Sequence, residues 1–219
     1  MRDCWYKDVC TLYEENCNTK CVRYTELKYL MESSNIPESR QKPISLTPDS
    51  CDYEAFTELD AIRLDICNFV EQGKNLYIGS NTTGNGKTSW AIKLMLRYFS
   101  EIWAGNGLTT RGLFVHVPTF LVNLKDFESK NPKLVEMKKL LPLVDLAIWD
   151  DIGSCNMSSY DFSQLTTYID TRVLNQKSNI FTGNLLGDEL QRALGNRLYS
   201  RVWNTSKKIV LHGSDKRGR

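Results

Sequence analysis

Between residues 81 and 89 this chain carries the residue types and the spacing needed to grip a polyphosphate. The run Asn81, Thr82, Thr83, Gly84, Asn85, Gly86, Lys87, Thr88, Ser89 joins an apolar stretch to a helix-patterned one. A loop without bulky side chains turns successive backbone N–H groups toward one point, and the helix that follows adds the positive end of its dipole. Lys87 is placed to reach the terminal phosphates and the Thr88 hydroxyl to ligate Mg2+, so the ligand that fits the pattern is ATP with Mg2+. The run departs from G-x-x-x-x-G-K-[ST] at Asn81, which stands in for the first glycine. Asparagine accepts positive φ more readily than other non-glycine residues, so the turn is expected to survive.

A second group of candidates lies downstream. Asp150 and Asp151 close the apolar run 143–149. Mg2+ dehydrates reluctantly and is commonly held by a carboxylate through water, so Asp150 is expected to hold the metal while Asp151 orients or deprotonates the attacking water. A solvated strand end is the plain alternative. Asn184, at the end of SNIFTGN, can hydrogen-bond both a water and a γ-phosphate, and Thr182 lies on the same sheet face. Taken alone, an Asn before Leu-Leu-Gly is a turn former. Arg197 and Arg201 are four residues apart on a short helical pattern and share one face. In a head-to-tail assembly either reaches a neighbour's ATP, a contact worth ~10³-fold or more in rate.

Four cysteines, Cys4, Cys10, Cys17 and Cys21, lie within the first 21 residues. Four thiolates would hold one tetrahedral Zn2+ and supply folding free energy to a segment too small for a core of its own. Small apolar residues or reactive thiols are the other reading. Cys51, Cys67 and Cys155 lack such a grouping and are expected to be structural, and His116, inside an apolar run, is expected in the core. Lys125, Lys130, Lys133, Lys138 and Lys139, with Phe120 and Phe127 nearby, outline either a groove for single-stranded DNA or a solvated helix face.

At 219 residues and 41% hydrophobic content the chain can hold one full domain and a small appendage. No segment has the apolar length of a membrane span, and the first residues are not a secretory signal, so a cytoplasmic protein with reduced thiols and no membrane partner is expected. The net charge of +2 is too small to imply a polyanion partner, but residues 197–219 hold seven Lys or Arg against one acid, Asp215. That end can touch phosphate, on ATP or nucleic acid, or form a solvated basic tail.

The elements that must position these residues can be read in order. Residues 1–31 form a Cys-rich module, 32–50 a Ser- and Pro-rich linker, and 51–219 the main domain. Apolar spacing predicts a helix over 53–71, a strand at 76–78, a helix after the loop, and a buried strand over 112–118. Helices opened by Pro118 and by Asn131-Pro132 follow. The strand before Asp150, a helix capped by Ser158 and Asp161, a strand over 178–184, a short helix and a strand at 208–211 complete the set. Alternating strands and helices imply a parallel sheet, here of five strands, covered on both faces. Ligands of such sheets sit at the carboxyl ends of the strands.

With the phosphate loop, WDDIG at 149–153, TGN at 182–184 and RLYSR at 197–201 in this order, residues 53–215 resemble the AAA+ ATPases of the DnaC and DnaI helicase-loader family, related to the DnaA initiator and the IstB transposition ATPase. The resemblance implies an AAA+ P-loop fold, Asn184 as a first sensor, Arg201 as an arginine finger acting in trans, and Arg197 as an accessory interface arginine. It implies a DnaB-type replicative helicase and single-stranded DNA as partners, with self-association through the ATP interfaces. Such loaders carry an N-terminal zinc module that contacts the helicase. Asp151 stands where most AAA+ proteins have Glu, which implies slow hydrolysis. Eight residues follow Leu211, so no C-terminal lid domain is expected. An IstB-like transposition helper and a small-molecule phosphotransferase are the other readings.

Overall fold

A computed structural model describes residues 4, 10, 13, 17–18, 20–42, 44–125 and 131–216. Phe127 and Lys130, two of the residues named for the DNA groove, lie outside them. Five strands, β1 (Asn75–Gly79), β2 (Gly112–His116), β3 (Leu146–Asp150), β4 (Ser178–Gly183) and β5 (Ser206–Val210), form one sheet in the order β2-β3-β4-β1-β5. Every pairing is parallel, the arrangement expected from alternating strands and helices.

The three central strands are buried along their whole length because both of their faces are covered. Leu76, Ile78, Leu146, Ile148 and Ile180 point into one core, against α1 (Val22–Ser33), α2 (Tyr53–Leu64), α3 (Ile66–Glu71) and α4 (Lys87–Ile102). Tyr77, Ala147, Trp149 and Phe181, the alternate positions, point into the other. That core is closed by α5 (Val117–Lys125), α6 (Pro132–Leu140), α7 (Ser159–Leu174) and α8 (Gly187–Tyr199). The period of two along a strand assigns each side chain to its core.

Local chemistry sets the helix ends. The Ser158 hydroxyl accepts from the Asp161 amide while the Asp161 carboxylate accepts from the Ser158 amide, the reciprocal cap read from the sequence. Asn131 caps α6 through the Lys133 amide, with Pro132 in the first turn. The helix expected over 53–71 is instead two, because Asp65 leaves helical dihedrals at φ −115° and binds the Asn68 amide with its carboxylate. α8 is kinked at Gly195, with φ 65° and ψ 162°, and a π-helical turn over Ser200–Asn204 leads into β5.

One further expectation changes. His116 is exposed rather than in the core, because the edge strand β2 ends there and its ring bonds the Thr119 hydroxyl at 2.8 Å. The segment read as a linker lies along the domain for much of its length. The Ser34 carbonyl accepts from the Phe114 amide at 2.7 Å, the Asn35 side chain donates to the Phe114 carbonyl, and Ile36 is buried.

Candidate functional site

The phosphate loop leaves β1 at Gly79 and enters α4 at Lys87. Its shape is held by side chains folding back on the loop itself. The Ser80 hydroxyl accepts from the Thr82 amide at 3.0 Å and from the Asn85 amide group at 2.6 Å, and Asn85 also donates to the Leu211 carbonyl of the neighbouring chain segment. Gly86 takes φ 103° as the residue before α4, a conformation that suits glycine, and its carbonyl accepts the first helical bond from Trp90. Lys87 is nearly buried, and its ammonium donates to the Thr82 carbonyl at 2.7 Å and to Asn85 Oδ1 at 3.1 Å. The lysine is thus drawn over the loop, where the terminal phosphates of a nucleotide belong. Asn81 is exposed and keeps negative φ, so the turn does not need the left-handed conformation expected of it.

β4 lies between β1 and β3. Two strand spacings, about 9–10 Å, therefore separate the root of the loop from the end of β3. There the Asp150 carboxylate, 6% exposed, accepts from the Thr182 hydroxyl at 2.8 Å. The same hydroxyl oxygen accepts from the Asp151 amide at 3.0 Å. Thr182 therefore ties the two acids to β4, a larger part than its place two residues before Asn184 suggested. Asp151 is turned by φ 61°, left-handed for a non-glycine residue, which brings its carboxylate to within 3.3 Å of the Asn184 amide nitrogen. Asn184 Oδ1 is buried and has no hydrogen-bond partner among the described residues.

That orphaned acceptor, the loop over Lys87 and the buried Asp150 carboxylate form a set that fits ATP and Mg2+. Asn81 to Ser89 line the phosphate side, Thr88 in the first turn of α4 and Asp150 offer metal ligands, and Asn184 Oδ1 can accept from a water. Burial raises the Tyr77 phenol, whose hydroxyl donates to the Leu185 carbonyl at 2.7 Å, so this group beneath the site stays protonated.

The remaining sequence candidates fall elsewhere. Arg197 and Arg201 both bond Asp170 on α7, at 3.0 and 2.5 Å, and neither bonds the loop or the paired acids of its own chain. Among the described residues no three His, Cys, Asp or Glu side chains stand together to hold a metal ion. Of the four cysteines expected to hold Zn2+, Cys4, Cys10, Cys17 and Cys21, no three are drawn into such a group; Cys4 and Cys10 pack as half-buried apolar groups against the core, and an Arg23 guanidinium nitrogen lies 3.8 Å from Cys10 Sγ. Lys125, one of the DNA-groove candidates, is paired with Asp161 at 2.7 Å.

Sequence reasoning missed a clasp around the loop. Asp52, fully buried, accepts from the His212 and Gly213 amides, and Asp49 accepts from the Ser214 amide. The segment so held lies on the phosphate loop: Thr82 donates to the Gly213 carbonyl, the Lys216 amide to the Gly84 carbonyl, and Thr83 to the Asp215 carboxylate at 3.4 Å. A Cβ on Gly84, whose φ is 72°, would lie 1.7 Å from Asp215 Oδ1, so a side chain there would displace the Asp215 carboxylate from the loop. The basic end of the chain thus meets the loop through its one acid and its backbone. Arg40 reaches the Ser89 hydroxyl from the other side at 3.4 Å. Only the Asp-x-x-Asp spacing of Asp49 and Asp52 could have hinted at the clasp, and such spacing is common.

No protein-family model and no curated protein matches this sequence. Solved structures do. The chain is similar to the DnaC helicase loader with a TM-score of 0.60 at 22% identity, over 75% of this chain and 93% of that one. To a putative primosome component from Streptococcus pyogenes serotype M3 the values are 0.63 and 23%, over 86% and 98%. To DnaI they are 0.62 and 18%, over 84% and 95%. The chain shares the fold of these structures, a parallel five-stranded sheet flanked by helices, as the alternation of strands and helices implied.

Proposed function

We propose that this chain is an ATP-dependent helicase loader, a nucleotide switch that binds a hexameric DnaB-type helicase and assists its placement on single-stranded DNA. The observation that carries the nucleotide part is the juxtaposition of Lys87 in its loop with Asp150, Thr182, Asp151 and the unpartnered Asn184 Oδ1 at one edge of the sheet. The loader part is supported by the extent of the likeness, which runs over 93% of the DnaC loader and 95% of DnaI.

In this reading the loop from Asn81 to Ser89 binds the phosphates through backbone N–H groups and Lys87, and Thr88 with Asp150 holds Mg2+. The bound metal supplies neutralisation of the phosphate oxygens. Asp151 orients the attacking water and accepts its proton, and Asn184, bonded to Asp151, accepts from that water through Oδ1. The Asp151 carboxylate is shorter by one methylene than a glutamate, which fits a slow switch better than a rapid motor. Arg201, with Arg197 beside it, acts on the nucleotide of a second copy.

The test is a binding assay with the full chain. Mg2+ and ATP should be taken up in calorimetry, and a hexameric replicative helicase from the native host should be retained on the immobilised protein with an affinity that changes between ATP and ADP. Nucleotide uptake with no helicase retained in either state would remove the loader reading; phosphate transfer to a nucleoside would replace it with a phosphotransferase.

A further inference from the structure

We propose that Asp170 is a positioning residue that presents the outer edge of the Arg201 guanidinium, backed by Arg197, to the terminal phosphate of a nucleotide held by a second copy of this chain. The proposal deepens the function given above and rests on it.

Asp170 lies on α7, one helix away from both arginines, and its side chain is 14% exposed against 42% for Arg201 and 77% for Arg197. The acid sits at the base and the two cations stand outside it. One carboxylate faces two guanidinium groups, so the cluster keeps a net charge of 2 − 1 = +1 and still attracts an anion. The contact to Arg201 is made through Nε, to Asp170 Oδ1. Both Nη groups of Arg201 are left without a hydrogen-bond partner among the described residues. That free edge is the planar fork that matches two phosphate oxygens.

The backbone around the pair is irregular. α8 is broken at Gly195, two residues before Arg197, and Arg201 itself lies in the π-helical turn Ser200–Asn204, whose carbonyls at Arg201 and Val202 accept from the Thr205 and Ser206 hydroxyls. Single π turns inside helices concentrate at functional sites. Burial pushes the Asp170 carboxyl up, but the two arginines outweigh it and hold its pKa below the usual carboxylate value, so the anchor stays ionised. Ion pairs this exposed add little to folding, which leaves orientation as the consequence that matters.

The experiment separates the copy that donates the arginine from the copy that holds the nucleotide. Lys87→Ala chains keep their arginines but hold no ATP; Arg201→Ala chains hold ATP but donate no arginine. Mixed, they should hydrolyse ATP faster than either alone. Adding Asp170→Asn to the Lys87→Ala chain should reduce this stimulation by about 10- to 100-fold, the scale of a misplaced catalytic group. The same substitution in the Arg201→Ala chain should not reduce it, and Asp170→Glu in the donor should restore part of it. Sedimentation gives a readout independent of turnover: with a non-hydrolysable ATP analogue, Asp170→Asn should self-associate about tenfold more weakly, while each chain binds the analogue normally. Stimulation that persists with Asp170→Asn in the donor, or unweakened self-association, overturns the role of Asp170 alone. Absence of stimulation in the parent mixture overturns the in trans reading itself.

Discussion

Replacing Arg172 with Met should unfold this protein at far lower denaturant while leaving its affinity for nucleotide unchanged. The Arg172 side chain is fully buried, and its guanidinium donates to the carbonyls of Leu141 at 2.6 Å, Val144 at 2.8 Å, Ser178 at 2.6 Å and Asp145 at 3.4 Å, and to Asn179 Oδ1 at 2.7 Å. Burial pulls its pKa down to about 9, which keeps it charged at neutral pH. Methionine fills similar space without a donor; Asn179 Oδ1 keeps its bond from Trp149 and the Asp145 carbonyl its bond from the Ser178 amide, but the other carbonyls lose the guanidinium, at about 1–3 kcal/mol for each group left unsatisfied. Against this, several kcal/mol are recovered because no cation has to be desolvated. A net loss of about 3–5 kcal/mol remains, a large share of the 5–15 kcal/mol that holds a typical domain together. For a chain of this size that corresponds to a fall in Tm of about 6–20 °C.

Urea melts followed by circular dichroism, with m unchanged, give the loss directly. Calorimetry with Mg2+ and ATP on the folded variant gives the affinity. The two readouts separate because the network ties the N-terminal ends of β3 and β4, whereas the loop and Asp150 lie at their carboxyl ends. A loss below about 1 kcal/mol would refute the reasoning, since it would mean that the carbonyls find other donors or that the buried charge never stabilised the fold. Arg172→Lys, with fewer donors on a single nitrogen, should fall between the two.

Lys87→Ala should abolish ATP and ADP uptake in calorimetry while the circular dichroism spectrum stays that of the parent, since the lysine ammonium donates to Thr82 and Asn85 of the loop rather than holding the sheet. Asp151→Gly should stabilise the chain by about 1 kcal/mol in urea melts, because φ 61° suits glycine, yet release phosphate from ATP at least tenfold more slowly than the parent. Stability against pH should be flat from neutrality to about pH 5 and fall below about pH 4. Burial raises the carboxyls of Asp145 and Asp161, but Lys177 and Arg111 at the first and Lys125 and Ser158 at the second hold them below the usual value. Groups with lowered folded-state pKa stabilise above the unfolded pKa and lose that contribution as pH falls through the folded one. Melting temperatures across pH 3–7 check the profile.

What was legible in the sequence is what short-range rules govern. The phosphate loop, the Ser158–Asp161 cap, the Asn131-Pro132 start and the alternation that splits Tyr77 from Leu76 and Ile78 are all fixed within a few residues. Asp150 ends β3 and Asn184 follows β4, and a strand pattern marks both positions. What was missed depends on residues far apart in the chain. Thr182 gains its role by bridging to β3, Asp170 by lying under α8, and Asp52 by holding the amides of residues 212 and 213, and no local pattern encodes these distances. For the four N-terminal cysteines, proximity in sequence suggests a metal cluster, and in the structure Cys4 and Cys10 lie against the hydrophobic core.

The two ends of β3 and β4 follow opposite rules, and the second depends on the first. At the N-terminal end each buried group is matched: Ser178 donates to the Phe69 and Val70 carbonyls, Asn179 is paired with Asn75, and Arg172 closes the rest. Register is fixed there, and a slip of one residue would send Trp149 and Phe181 to the wrong core. At the carboxyl end the chain accepts a left-handed Asp151 and a buried Asn184 oxygen with no partner among the described residues, features that cost about 1–3 kcal/mol each. Such strain persists only where the surroundings over-determine it. The matched end keeps the unmatched one from relaxing, so Asp150, Asp151 and Asn184 are held where a metal, a water and a phosphate would complete their bonds.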